Sequence, residues 1–212
     1  MDNNATHISI VLDTSGSMDV IKGATIEGYN SFILKNMAMP GKLTTMLTQF
    51  GSHVHVQNVQ EHSIELLNNA NYHPDGLTAL YDAIGMTIDA TGVFLSSLEE
   101  HQRPAKVIVA IVTDGQENNS RKFSFFNIVD MIEQQQQKYS WEFVFMGANQ
   151  DAYLVAGALK IPHNNTMTYQ YNNVAAGAAW SGMAVNTMSY RSGDSSDMSF
   201  TNEQVQEQSK GA

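Results

Sequence analysis

Residues 106–113, KVIVAIVT, are apolar almost throughout and end abruptly in the polar run TDGQENNS. A strand with one wet face alternates apolar and polar residues. An unbroken apolar run belongs to a central strand buried on both faces. The rest of the chain must therefore supply layers that cover both faces.

The remaining pattern does so. Residues 7–13, HISIVLD, read as a short buried strand, apolar at Ile8, Ile10, Val11 and Leu12. A helix is predicted over about 20–37, with Ile21, Ala24, Gly28 and Phe32 on one face and Gly28 letting it approach the sheet closely. Pro40-Gly41 breaks the chain. Two strand-like runs, 43–50 and 53–59, are separated by Gly51-Ser52, a hairpin signal. A turn-rich stretch, 68–78, precedes a long helix from Ala79, with Leu80, Ile84, Ile88 and Leu95 down one face. A helix at about 124–138, a strand at 142–147, a short helix at 150–160, a last strand at 166–171 and an Ala/Gly/Met-rich helix at about 175–188 follow. The alternation implies an α/β sheet, mostly parallel, with one antiparallel strand. The expected organisation is a single domain over 1–190, with its core at about 7–160 and a C-terminal strand and helix at about 166–190. Residues 191–212 are expected to form a flexible polar tail.

Composition narrows the function. The formal charge is −10, from 11 Lys+Arg against 21 Asp+Glu, and no basic stripe is present. Nucleic acid is an unfavoured partner, because phosphate binding relies on Lys and Arg displacing counterions. The absence of cysteine rules out disulfides and thiolate metal sites. The polar N-terminus, MDNNATHISI, lacks the pattern of a secretory signal, and no apolar stretch is long enough to span a membrane. A soluble, cytoplasmic protein is expected.

Three polar loops fall where an open α/β sheet binds ligands, beyond the carboxyl ends of its strands. They are Asp13-Thr14-Ser15-Gly16-Ser17, Asp75-Gly76-Leu77-Thr78 and Thr113-Asp114-Gly115. Each combines carboxylate or hydroxyl oxygen with a glycine that permits a tight turn. Hard divalent cations bind such oxygens. Neutral serine and threonine ligands leave the ion much of its charge and an open position, which suits an incoming carboxylate.

Asp13-x-Ser15-x-Ser17, with Thr78 and Asp114, resembles the metal-ion-dependent adhesion site of the von Willebrand factor A (vWA) domain family. The likeness covers about residues 7–160 and is that of an intracellular bacterial or phage-type member. It implies a Rossmann-like three-layer fold, with sheet order 3-2-1-4-5-6 and strand 3 antiparallel. It also implies Ser15, Ser17 and Thr78 as metal ligands, with Asp13 and Asp114 direct or through water. The implied cofactor is Mg²⁺, with Mn²⁺ or Ca²⁺ as alternatives. The implied activity is non-covalent capture of a protein that presents an Asp or Glu to the metal. One departure is Gly76-Leu77-Thr78, where many members have Gly-Gly-Thr, so Leu77 adds apolar contact surface at the rim.

Other readings of the residues stand beside this one. Asp13 or Thr78 can act as a helix cap, and Asp114-Gly115 as a plain turn. Asp19, Asp75, Glu117 and Arg121 are expected around the rim, and His53 and His55 on an exposed strand face. A metal-dependent hydrolase such as a phosphatase would need a general base beside the metal, and no histidine or lysine sits in the three loops. A structural or assembly protein with an unused site is the remaining alternative.

Overall fold

The computed structural model describes residues 1–61, 64–148 and 151–208. Six strands, β1 (Asp2–Asp13), β2 (Lys42–Phe50), β3 (Val54–Val56), β4 (Pro104–Thr113), β5 (Glu142–Ala148) and β6 (Thr166–Tyr169), form one sheet. Their order is β3-β2-β1-β4-β5-β6, and every pairing is parallel except β2 with β3. This matches the expected sheet. The helices are α1 (Lys22–Met37), α2 (Leu80–Ser97), α3 (Phe125–Tyr139), α4 (Ala152–Ala158), α5 (Asn173–Ser192) and α6 (Asn202–Glu207).

The continuous apolar run of β4 resolves into two interleaved sets. Ile108, Ala110 and Val112 join Ile8, Ile10 and Leu12 of β1 in a core beneath α1 and α5. Val107, Val109 and Ile111 join Val11, Phe143 and Phe145 in a second core beneath α2, α3 and α4. Successive side chains point to opposite faces, so a strand covered twice must be apolar at every position.

β1 begins at Asp2, earlier than its apolar run, because backbone pairing extends into polar sequence at the sheet's N-terminal edge. Two buried polar residues of β1 face α2. The His7 ring lies 2.9 Å from both Thr44 Oγ1 and Ser9 Oγ, and Ser9 Oγ lies 2.8 Å from Thr91 Oγ1. Burial drives the His7 pKa down to about 3, so the ring is neutral in the fold. In the unfolded chain it gains a proton below about 6.5. Its contribution to stability is therefore complete above that pH and is lost as the pH falls from 6.5 towards 3. Urea unfolding of the wild type and His7→Gln at two pH values checks this. The wild type's advantage over the variant is expected to shrink by about 2 kcal/mol between pH 6.5 and pH 5. A gap independent of pH would refute it.

The C-terminal region differs from the expectation of a flexible tail. Met198 is fully buried, and Phe200 and Val205 pack on the first core. Thr201 and Gln204 form a capping box at the start of α6, and Gln204 bonds Asn186 of α5. A few apolar residues spaced along a polar segment suffice to dock it once α5 provides a surface. Residues 209–212 of the expected tail, and residue 150 of the expected short helix, lie outside the described residues. Gly28 also acts differently from its reading. The close approach it permits is to Trp180 of α5, not to the sheet: a Cβ at position 28 would stand 2.4 Å from the indole.

Candidate functional site

The three polar loops converge at the C-terminal edge of the sheet. The register sets this: Leu12 lies opposite Val112 and Asp13 opposite Phe50, so β1, β2 and β4 end level. Alternation turns Asp13 and Thr113 to the α2 side, where the 75–78 loop arrives.

Asp13 is fully buried at the base of the site. Its Oδ1 accepts the Ser15 N–H at 2.6 Å, and its Oδ2 accepts the Thr113 hydroxyl at 2.6 Å. The Tyr72 hydroxyl donates to the Asp13 carbonyl at 2.8 Å. Ser15 Oγ and Ser17 Oγ lie 3.2 Å apart, and Ser17 donates to Asp114 Oδ1 at 2.8 Å. Among the described residues, Asp114 Oδ2 is buried without a hydrogen-bond partner, while the Tyr171 and Ser15 side chains lie beside the carboxylate. A Cβ added at Gly115 would stand 3.0 Å from Thr78 Oγ1 and 3.8 Å from Asp13 Oδ2, so the third loop passes close over both. Gly16 donates to the Gly76 carbonyl at 3.2 Å and ties the first loop to the second.

The capping readings do not describe these residues. The residue at the N-cap of α2 is Ala79, not Thr78. The first-turn amides of that helix, Tyr81 and Asp82, donate to the Glu117 carboxylate and Ser120 hydroxyl. Asp13 does not cap the short 3₁₀ turn at Gly16–Ile21, whose N-cap position is Ser15. Its carboxylate instead closes a local turn two residues long.

Burial pushes the Asp13 carboxyl up to about 6 and the negative charge of Asp114 adds to this, while the bonds from Thr113 and Ser15 oppose it. Burial likewise raises Asp114. Among the described residues neither carboxylate pairs with a Lys or Arg. Two desolvated acids side by side without a counter-charge are costly, and a cation would offset that cost. The donor set is two carboxylates and three hydroxyls, all oxygen, which fits a hard divalent ion. Among the described residues no group of three or more His, Cys, Asp or Glu side chains comes together in a way that could hold a metal ion.

The rim holds Asp19, Asp75, Arg121 and a half-exposed Leu77. Glu117 turns inward instead, accepting the amides of Tyr81, Asn119 and Ser120. His53 and His55 are exposed, as expected. Sequence reasoning missed four contributors: Tyr72 beneath Asp13, Thr113 as a donor to it, Asn118, whose Oδ1 accepts the Thr78 N–H, and Tyr171, whose hydroxyl donates to the Ser17 carbonyl. Thr113 was visible as the last residue of an apolar strand. The others are far in sequence from what they touch and carry no local signal.

No protein-family profile matches the sequence, and no curated sequence matches it. Solved structures do match the fold. A von Willebrand factor type A protein from Catenulispora acidiphila aligns with a TM-score of 0.57 at 13% identity, over 88% of this chain and 43% of its own. The vWF domain of the type V pili tip protein Mfa5 from Porphyromonas gingivalis aligns with a TM-score of 0.58 at 11% identity, over 86% of this chain and 95% of its own. This is the von Willebrand factor A fold. Manganese-loaded TRAP protein from Plasmodium vivax aligns with a TM-score of 0.50 at 16% identity, over 81% of this chain and 70% of its own. The chain spans less than half the length of the Catenulispora protein. Among the described residues of this vWA-fold chain, no helix is long and apolar enough to cross a membrane.

Proposed function

We propose that this chain is a divalent-metal-dependent protein-binding module. Ser15, Ser17 and Thr78 would hold the ion, with Asp13 and Asp114 binding directly or through water. The ion, Mg²⁺ or alternatively Mn²⁺ or Ca²⁺, supplies a Lewis-acidic position that takes an Asp or Glu of a partner protein. The observation that carries this reading is Asp114 Oδ2, buried and without a hydrogen-bond partner among the described residues, placed among hydroxyls rather than cationic side chains. A buried carboxylate oxygen left unpaired is expensive, and a cation is the partner that fits an all-oxygen set. That a protein of similar fold is manganese-loaded adds support.

The chain's own residues divide the work. Thr113 and the Ser15 amide orient Asp13, Asn118 fixes the loop that carries Thr78, and Ser17 orients Asp114. Leu77 and Arg121 line a groove beside the site, shared with Ser52 and His53, where the partner's flanking residues would lie. The reading is one of binding rather than turnover, because the groups around the two carboxylates are hydroxyls and amides, not an imidazole or amine that could serve as general base. A cytoplasmic setting suits Mg²⁺ as the resident ion.

Capture of partner proteins from cell lysate is expected in Mg²⁺ and is expected to disappear in EDTA. The check is a parallel pull-down in the two buffers. Identical capture in both would move the interface away from these residues.

A further inference from the structure

Tyr171 belongs to no element that the three loops contribute. It lies between β6 and α5, and its position is set on both sides. β6 pairs with β5 up to Tyr169, and the Asn172 side chain caps α5 by accepting the Ala175 amide at 2.9 Å. The Tyr171 ring packs on the first core, and its hydroxyl reaches across the sheet edge to donate to the Ser17 carbonyl. The residue is only partly buried, so the hydroxyl stands at the open side of the site, next to Asp114.

Several other donors there are already engaged. The amides of Ser15, Gly16, Met18, Thr78 and Gly115 donate to Asp13, Gly76, Ser15, Asn118 and Thr113 respectively. The Ser17 hydroxyl donates to Asp114. A carboxylate that gives one oxygen to a cation keeps a second, charged oxygen that needs a donor. The Tyr171 O–H donates to the Ser17 carbonyl and also stands against the Asp114 carboxylate. A hydroxyl rotates to suit its acceptors, and a cation that engages Asp114 leaves this one to turn to a new carboxylate.

We propose that Tyr171 is the carboxylate-recognising residue of this site: its O–H turns from the Ser17 carbonyl to the partner carboxylate oxygen that the metal leaves free. This rests on the metal-dependent reading above. Tyr171 thereby selects a planar acid over a single-oxygen ligand such as a hydroxyl or water, and it places part of the recognition on the β6–α5 connection.

The test uses the full chain and Tyr171→Phe, which keeps the ring and its packing. Mn²⁺ is the metal probe and acetate the carboxylate probe. Water-proton relaxation reports Mn²⁺ binding first and then displacement of Mn²⁺-bound water by acetate. The acetate constant of the variant is expected to weaken about tenfold more than its Mn²⁺ constant, the loss of one hydrogen bond to a charged group. Equal acetate affinity in the two proteins overturns the assignment of Tyr171. So does a loss confined to Mn²⁺ affinity, which would make the phenol a support for the metal. Failure of the wild type to bind Mn²⁺ at all overturns the metal-dependent reading itself and, with it, this one.

Discussion

Asp13→Ala is expected to abolish divalent-cation binding while the protein remains folded. Asp13 is the fully buried carboxylate at the base of the site, and the hydroxyl of Thr113 and the amide of Ser15 point at it. Removing it takes away one of the two negative charges and the anchor of the first loop. Mn²⁺ affinity is expected to fall at least about a hundredfold, the scale of losing a charge-assisted contact of about 3 kcal/mol. The fold is expected to survive because two effects oppose each other. Two hydrogen bonds to a carboxylate are lost. So is the cost of ionising a buried acid whose pKa stands near 6. The sign is the reverse of a paired carboxylate: with the folded pKa raised, stability is lost as pH rises from 3.8 through 6. At neutral pH the alanine variant escapes that loss, and its metal-free stability is expected within about 2 kcal/mol of wild type. Calorimetric Mn²⁺ titration and urea unfolding measure the two halves. Asp13→Asn, which keeps the shape of the side chain, is expected to lose the metal as well. Undiminished Mn²⁺ affinity in either variant would remove the first loop from the site.

Gly28→Ala and Trp180→Ala are each expected to destabilise the fold strongly, for opposite reasons. Trp180 is fully buried, with Tyr29 and Phe32 against it at centroid distances of 6.2 and 6.1 Å. Deleting the indole leaves a cavity and is expected to cost about 3–5 kcal/mol. A methyl at position 28 would sit 2.4 Å from the same ring, inside van der Waals contact, and is expected to cost about 1–3 kcal/mol through forced displacement of α5. The two residues share one contact, so their effects are not independent. Gly28→Ala combined with Trp180→Ala is expected to be less destabilising than the sum, since the two indole atoms nearest the added methyl are gone and only the Cβ of residue 180, at 2.8 Å, still has to give way. Urea midpoints of the two single variants and the double variant test this. Strict additivity would mean that the helices do not meet through this pair.

How far local pattern reaches is clear from particular residues. Apolar periodicity placed β4, β5 and α2 within a few residues of where they lie, because each buries a face whose spacing is set by its own geometry. The five oxygen-bearing residues stood out because hydroxyls, carboxylates and glycines recur in three separate loops, two directly after strands and one directly before a long helix. Gly28 was visible as a place of close approach, but its partner was not, since α1 and α5 are far apart along the chain. The segment after Arg191 read as flexible because its composition is polar; Met198 and Phe200 dock only on a surface that α5 and β6 create.

By itself the sequence determined the alternation of strands and helices, the doubly covered central strand and the residue types that line the three loops. These depend on periods and turn chemistry, which act over a few neighbouring residues. Tertiary structure alone decided which of those oxygens face one another. The parallel register brings Asp13 level with Thr113, the Gly16–Gly76 contact joins two loops, and Tyr171 reaches Ser17 across the sheet edge. Those contacts are made by residues far apart in the chain. Their positions follow from how the two cores pack on the sheet, and no local pattern encodes that.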